Sequence, residues 1–110
     1  MAYYTYILRC SDGSLYTGIT TDLPRRFAEH SRGTSHAGAK YTASRRPEAY
    51  ECAFQSDDRA AASRLEARIK RLTRSQKLKL IAGESFEKLE LDAYRRLKVS
   101  PIGEIYVNAE

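Results

Sequence analysis

Two runs of strand-forming residues stand near the N-terminus with only three residues between them, and this pairing constrains the fold more than any other feature. Residues 3–10 read YYTYILRC and residues 14–20 read SLYTGIT, separated by Ser11, Asp12 and Gly13. Tyrosine, threonine and isoleucine favour strands, and so short a gap closes antiparallel neighbours into a hairpin. The turn chemistry admits two registers. A two-residue Asp12-Gly13 turn pairs Ser11 with Ser14 and puts Tyr6 and Tyr16 on opposite faces, because side chains alternate. A three-residue loop with Gly13 left-handed pairs Leu8 with Tyr16 and Tyr6 with Gly18, so both tyrosines share a face as diagonal neighbours. In that second register Gly18, a strand glycine with no side chain to pack, leaves a vacancy beside Tyr6 that opens towards solvent and invites close approach.

The pattern then changes period. Asp22 is placed to cap a helix with Pro24 in its first turn, over residues 23–31. Leu23, Arg26, Phe27 and His30 fall on one stripe of that helix, so Arg26 and His30 face the sheet while Arg25 points away. Residues 32–47 are rich in glycine, serine and bases and read as a loop. Residues 48–55 alternate, with Ala49, Glu51, Ala53 and Gln55 on one face and Tyr50, Cys52 and Phe54 on the other, as a third strand. Ser56 is the expected cap of a helix opened by Asp57 and Asp58 and running to residue 72. Thr73 and Gln76 have the spacing of a capping box for a short helix ended by Gly83. A last helix is expected over residues 85–97, with Phe86, Leu89, Ala93 and Leu97 on its apolar stripe. The tail ends in Ile105, Tyr106 and Val107, which can dock as a short strand. The fold class is α+β: a short three-stranded antiparallel sheet flanked by helices, with additional C-terminal helices. Residues 1–83 form the core domain, and residues 84–110 a C-terminal helix and tail packed on or appended to it.

Composition narrows the functional classes. The chain has 110 residues, room for one domain, and a formal net charge of +5, which fits a polyanionic partner. Between Arg59 and Lys79 there are eight basic residues and one acid, Glu66, whereas residues 84–110 carry six acids and four bases. No apolar run approaches the roughly 20 residues of a membrane span, and no signal-peptide pattern opens the chain. Cys10 and Cys52 are read as reduced, buried thiols of a cytoplasmic protein.

Tyr4-Thr5-Tyr6, then Tyr16-Thr17-Gly18, then Arg26 and His30 within LPRRFAEH, then Glu66 within SRLEARIKRL, taken in that order and spacing, resemble the GIY-YIG nuclease family over roughly residues 3–80. The likeness is greatest to its small stand-alone bacterial members, which share segments similar to SLYTGIT, AKYT and IKRLTRSQK. Tyr4 replaces the motif's glycine and Thr17 its central aliphatic residue. The asparagine that some repair-type members carry after the glutamate has no clear counterpart. The resemblance implies a divalent-metal-dependent endonuclease acting on DNA, single-stranded and branched forms included. In that reading Glu66 is the ligand of one Mg²⁺ or Mn²⁺ ion, Arg26 holds the scissile phosphate, and Tyr6, Tyr16 and His30 position or deprotonate the attacking water.

Each of these residues also has an ordinary reading. Glu66 and Lys70 stand at i, i+4 and can simply pair. An arginine on a buried stripe can snorkel, tyrosines are normal strand residues, and His30 can be a packed helix histidine. Gly18, Lys40, Tyr41, Arg45, Arg46 and Lys70 are the candidate substrate contacts. The loop residues among them combine charge with an aromatic face, which suits phosphates and an unpaired base. The alternative function is a nucleic-acid-binding module, for DNA or RNA, that keeps the pocket without cutting. A protein-interaction domain is the third class, and oligomeric state is open.

Overall fold

The computed structural model describes residues 1–32 and 46–108. Strand β1 (Tyr3–Cys10) and strand β2 (Leu15–Thr20) form the hairpin. Its register is the three-residue one: Leu8 faces Tyr16 and Tyr6 faces Gly18. Gly13 supplies the left-handed residue at φ 83°, and the Cys10 amide donates to the Ser14 carbonyl at 2.9 Å. Helix α1 (Leu23–Arg32) follows, with Asp22 Oδ1 accepting from the Arg25 amide at 3.0 Å as the expected N-terminal cap. Strand β3 (Pro47–Ser56) pairs antiparallel with the other side of β1.

Helix α2 (Arg59–Lys70) packs across β1, β2 and β3, on the face opposite α1. Its cap is Asp58, whose carboxylate accepts from the Ala61 amide at 2.8 Å, rather than Ser56. Ser56 is the last residue of β3, and its hydroxyl turns to the carbonyls of Tyr3 and Asp58. Helix α3 (Arg74–Ile81) carries the expected Thr73–Gln76 capping box.

The C-terminal expectation needs correction. Residues 85–97 do not form a helix: Glu87–Leu89 and Leu91–Ala93 are single 3₁₀ turns, and Arg95–Val99 is strand β4. Glu90 between the turns is left-handed at φ 53°, which ends any continuous helix. The apolar residues that mimicked a helical stripe serve different neighbours. Phe86 and Leu89 join the core under α2, while Leu97 pairs with Ala53. Strand β5 (Ile105–Asn108) pairs with β4, as the docking of residues 105–107 anticipated. The sheet therefore has five antiparallel strands in the order β2-β1-β3-β4-β5, not three.

The two faces of this sheet bury different cores. Ile7, Cys52 and Phe54 meet Leu65, Ile69, Leu72, Leu80 and Leu89 on the α2 side. Tyr6, Leu8, Tyr50 and Ala53 meet Leu23 on the α1 side, with Tyr4, Tyr16 and Phe27 packed around them. Tyr50 thus lies opposite to where strict alternation puts it. Two bulges in β3 explain this: the pairing with β1 steps from Cys52 to Tyr50 and from Ala49 to Pro47, leaving Glu51 and Glu48 as extra residues. Both extra carboxylates reach the same guanidinium, Arg9, at 2.9 and 3.2 Å. Cys10 and Cys52 are buried and unbridged as expected, and burial pushes the Cys52 thiol up to about 12.

Candidate active site

Four elements deliver side chains to the α1 face. β1 contributes Tyr6, and β2 contributes Tyr16 with Gly18. α1 contributes Arg26, Glu29 and His30, and β3 contributes Tyr50 by way of its bulge. The helical stripe behaves as its spacing predicts, since Arg26 turns inward at 12% side-chain exposure while Arg25 keeps 58%. His30, one turn further, is 1% exposed.

The Tyr6 hydroxyl is the centre of the group. Arg26 donates to it through Nε at 3.3 Å, and His30 Nε2 lies 3.1 Å away. A guanidinium only donates, so the Tyr6 oxygen accepts from Arg26. With its proton turned to His30 Nε2, Tyr6 becomes a relay between the two. Three aromatic rings fix the phenol in place. Tyr50 packs edge-on at 5.1 Å between centroids, His30 at 6.4 Å, and Tyr16 lies tilted at 6.3 Å. Tyr16 also meets His30 edge-on at 5.3 Å. Tyr50 is held by its own hydroxyl, which donates to the Leu23 carbonyl at 2.8 Å at the start of α1.

Burial sets the proton chemistry. Desolvation raises the Tyr6 phenol well above its ordinary value, and the hydrogen bond from Arg26 offsets this only in part. The Glu66 carboxylate is close enough that its charge pushes the phenol the same way. Tyr6 therefore stays protonated at neutral pH. Burial first, and the Arg26 charge second, lower His30 to about 4, so its imidazole is neutral at pH 7. The pair comprises a phenol that keeps its proton and a neutral imidazole beside it.

Gly18 lies against the Tyr6 ring across the hairpin. Something does approach it, but the visitor is Tyr6 itself. A Cβ on Gly18 would lie 2.5 Å from the Tyr6 hydroxyl oxygen, 2.8 Å from Tyr6 Cζ and 3.0 Å from Tyr16 Cε2. The expected vacancy is filled by the phenol, and glycine is required because the strand backbone and the ring share that space.

Glu66 lies on α2, half-buried at 23% side-chain exposure, with Lys70 Nζ at 3.2 Å from its carboxylate. Lys70, expected to touch substrate, makes this ion pair one turn along the helix. Ala62, Leu65 and Ile69 around it are fully buried, so the carboxylate is presented at the rim of a packed face. A single such carboxylate fits a hard divalent cation that takes one protein ligand and completes its shell with water and phosphate oxygens. Among the described residues no group of three or more His, Cys, Asp or Glu side chains gathers into a closed metal cage. Arg46 is exposed, and its carbonyl accepts from the Ser11 amide at 2.7 Å. Lys40, Tyr41 and Arg45 lie outside the described residues. Two members of the site escaped the sequence reading. Tyr50 was hidden by the bulge, whereas Glu29, whose Oε1 lies 3.5 Å from Arg26 Nη1, was signalled by its i, i+3 spacing.

Residues 2–79 match the family profile described as GIY-YIG catalytic domain. A UPF0213 protein of Fusobacterium nucleatum is 41% identical over 93% of this chain and 99% of its own length. Another, from Halobacterium salinarum, is 47% identical over 68% of this chain and 94% of its own. The solution NMR structure of a UPF0213 protein from Bacillus halodurans is 40% identical, covering 74% of this chain and 84% of that one with a TM-score of 0.44.

Proposed function

The chain belongs to the GIY-YIG family, and on that premise we propose that it is a divalent-metal-dependent endonuclease that hydrolyses DNA phosphodiester bonds with an activated water. The observation that carries the reading is the convergence of Arg26 and His30 on the Tyr6 hydroxyl, beside Tyr16 and above Gly18. Phosphodiester hydrolysis needs a positioned water, a route for its proton and neutralisation of charge on the phosphate.

Arg26 binds the phosphate through the donors that its Nε bond to Tyr6 does not use. Tyr6 and Tyr16 orient the water. As the water loses its proton to the Tyr6 oxygen, the Tyr6 proton passes to His30 Nε2, whose imidazole is neutral at pH 7 and whose basicity burial lowers. This concerted relay suits a phenol that would be a poor base alone, because no free phenolate forms. Glu66 is the residue that would hold one Mg²⁺ or Mn²⁺ ion, and such an ion supplies charge neutralisation on the phosphate. Lys70, already paired with Glu66, keeps that carboxylate aimed before metal arrives.

The deciding experiment is a cleavage panel of labelled single-stranded, duplex, flapped and branched DNA, and RNA, with and without Mg²⁺ or Mn²⁺. Glu66→Ala is expected to abolish metal-dependent cutting while leaving DNA affinity roughly intact. Equal loss of both in a folded variant would make Glu66 a structural residue. Salt-dependent binding with no cutting by the wild-type protein would replace the hydrolase with a binding module.

A further inference from the structure

A cavity of about 200 Å³ adjoins the Arg26 side of the site and is not used by the chemistry above. Its walls come from four elements: Tyr3 of β1, Ile19 and Thr20 of β2 with Thr21 beyond it, Arg25, Arg26 and Glu29 of α1, and Arg59 at the start of α2. Three arginines and one glutamate therefore line the same cavity. That carboxylate is shared, because Glu29 lies 3.9 Å from Arg25 Nε and 3.5 Å from Arg26 Nη1. Arg59 is exposed, and no carboxylate among the described residues lies within ion-pair distance of it. The Thr21 hydroxyl accepts from Arg25 Nη2 at 3.3 Å, which steadies Arg25 at the rim. A larger cavity of about 450 Å³ lies elsewhere, between Gln55–Asp57 and Asp92–Arg96, and shares no residue with this group.

We propose that the Arg25–Arg26–Arg59 cavity is a second phosphate subsite, which grips the phosphodiester next to the one being hydrolysed. The inference takes its ligand class from the nuclease reading and adds the position of the neighbouring phosphate. Arg26 belongs to both places, with Nε turned to Tyr6 and Nη1 turned to Glu29. One guanidinium shared between adjacent anion sites sets the direction in which the strand runs: from the Tyr6 hydroxyl, past Arg26, towards Arg59. Arg25 and Arg59 then act on binding and register rather than on the bond that breaks.

The test measures affinity of a fluorescein-labelled single-stranded oligonucleotide across a salt series in EDTA, for wild type, Arg59→Gln, Arg25→Gln and the control Arg95→Gln on β4. Losing a phosphate contact to a single strand weakens binding and lowers the salt slope by about 0.7, so Arg59→Gln and Arg25→Gln should each do so. Arg95→Gln should lie on the wild-type line. A dinucleotide with a single phosphodiester should be held equally by wild type and Arg59→Gln. All the substituted side chains are exposed, and thermal melting verifies their folding. Unchanged affinity and slope in Arg59→Gln and Arg25→Gln overturn the subsite, whether or not the wild type cuts. Reduced slopes with no metal-dependent cutting by the wild type keep the subsite and remove the hydrolase.

Discussion

The same three strands build two unlike interiors, one on each face of the sheet. Under α2 the packing is mainly aliphatic: Ile7, Leu65, Ile69, Leu72, Leu80 and Leu89 surround Phe54 and Cys52. Under α1 it is aromatic and hydrogen-bonded, with Tyr6, Tyr16, Tyr50 and Phe27 enclosing His30 and Arg26. Tyrosine outnumbers phenylalanine eight to three in this chain, and the second interior supplies much of the reason. A hydrophobic wall that must also hold a guanidinium and an imidazole by hydrogen bonds needs rings that end in hydroxyls. One face supplies rigidity and the other spends it on positioning polar groups.

That contrast predicts opposite outcomes for matched substitutions. Tyr6→Phe keeps the ring and removes the relay, so cleavage should fall by roughly 10²–10⁴-fold while the melting temperature moves little. Phe54→Ala should do the reverse, costing about 3–5 kcal/mol of stability with near wild-type rate per folded molecule. Denaturant titration beside single-turnover cleavage separates the two. If Phe54→Ala lost activity in its folded fraction, the two interiors would be one coupled unit.

Acid should sharpen the same distinction. His30 titrates at about 4 in the folded protein against ~6.5 when unfolded. The unfolded chain therefore binds the proton first, and stability falls as pH drops from about 6.5 to about 4. The contribution of this one group, fully present above pH 6.5, is roughly 3 kcal/mol. Melting curves across that window should flatten in His30→Gln relative to wild type. A variant with the wild-type slope would assign the acid sensitivity to other groups.

The smallest effect is expected on the aliphatic side. Thr17 faces Ile7, and its buried hydroxyl has no hydrogen-bond partner among the described residues. Thr17→Val removes an unsatisfied polar atom at nearly constant shape, so it should stabilise the protein by about 1 kcal/mol without changing cleavage. A loss of stability would mean that the hydroxyl has a bonding partner after all, such as a buried water.

Local signals made the hairpin and α1 legible in the sequence. Asp12-Gly13 and the length of the loop narrow the hairpin to two registers, of which the three-residue one is found, and the i, i+4 placement of Arg26 and His30 brings both to Tyr6. The capping box at Thr73 was legible for the same reason. What failed was anything decided by a distant partner. Phe86, Leu89, Ala93 and Leu97 satisfy helical spacing, yet β3 offered a free edge at Ala53, Phe54 and Gln55, and residues 95–97 pair with it instead. The site shows the same division. Its core pair could be placed from spacing, while Tyr50 depended on bulges opposite β1 that no period-two reading contains.

Those bulges make β3 behave like a message with an inserted letter. Ahead of Glu51 the strand is read in one frame and after it in the other, which is why Tyr50 and Ala53, three positions apart, share a face. A lineage that lost the Glu51 codon would keep its composition almost unchanged and its strand intact. Tyr50 would then stand next to Cys52 and alternate with it, so its ring would stay opposite Leu8 on the Tyr6 face, and Arg9 would lose the carboxylate that Glu51 brings to 2.9 Å. The wall behind Tyr6 thus survives the loss of that letter, and what the letter adds is a carboxylate for Arg9 rather than the placement of Tyr50.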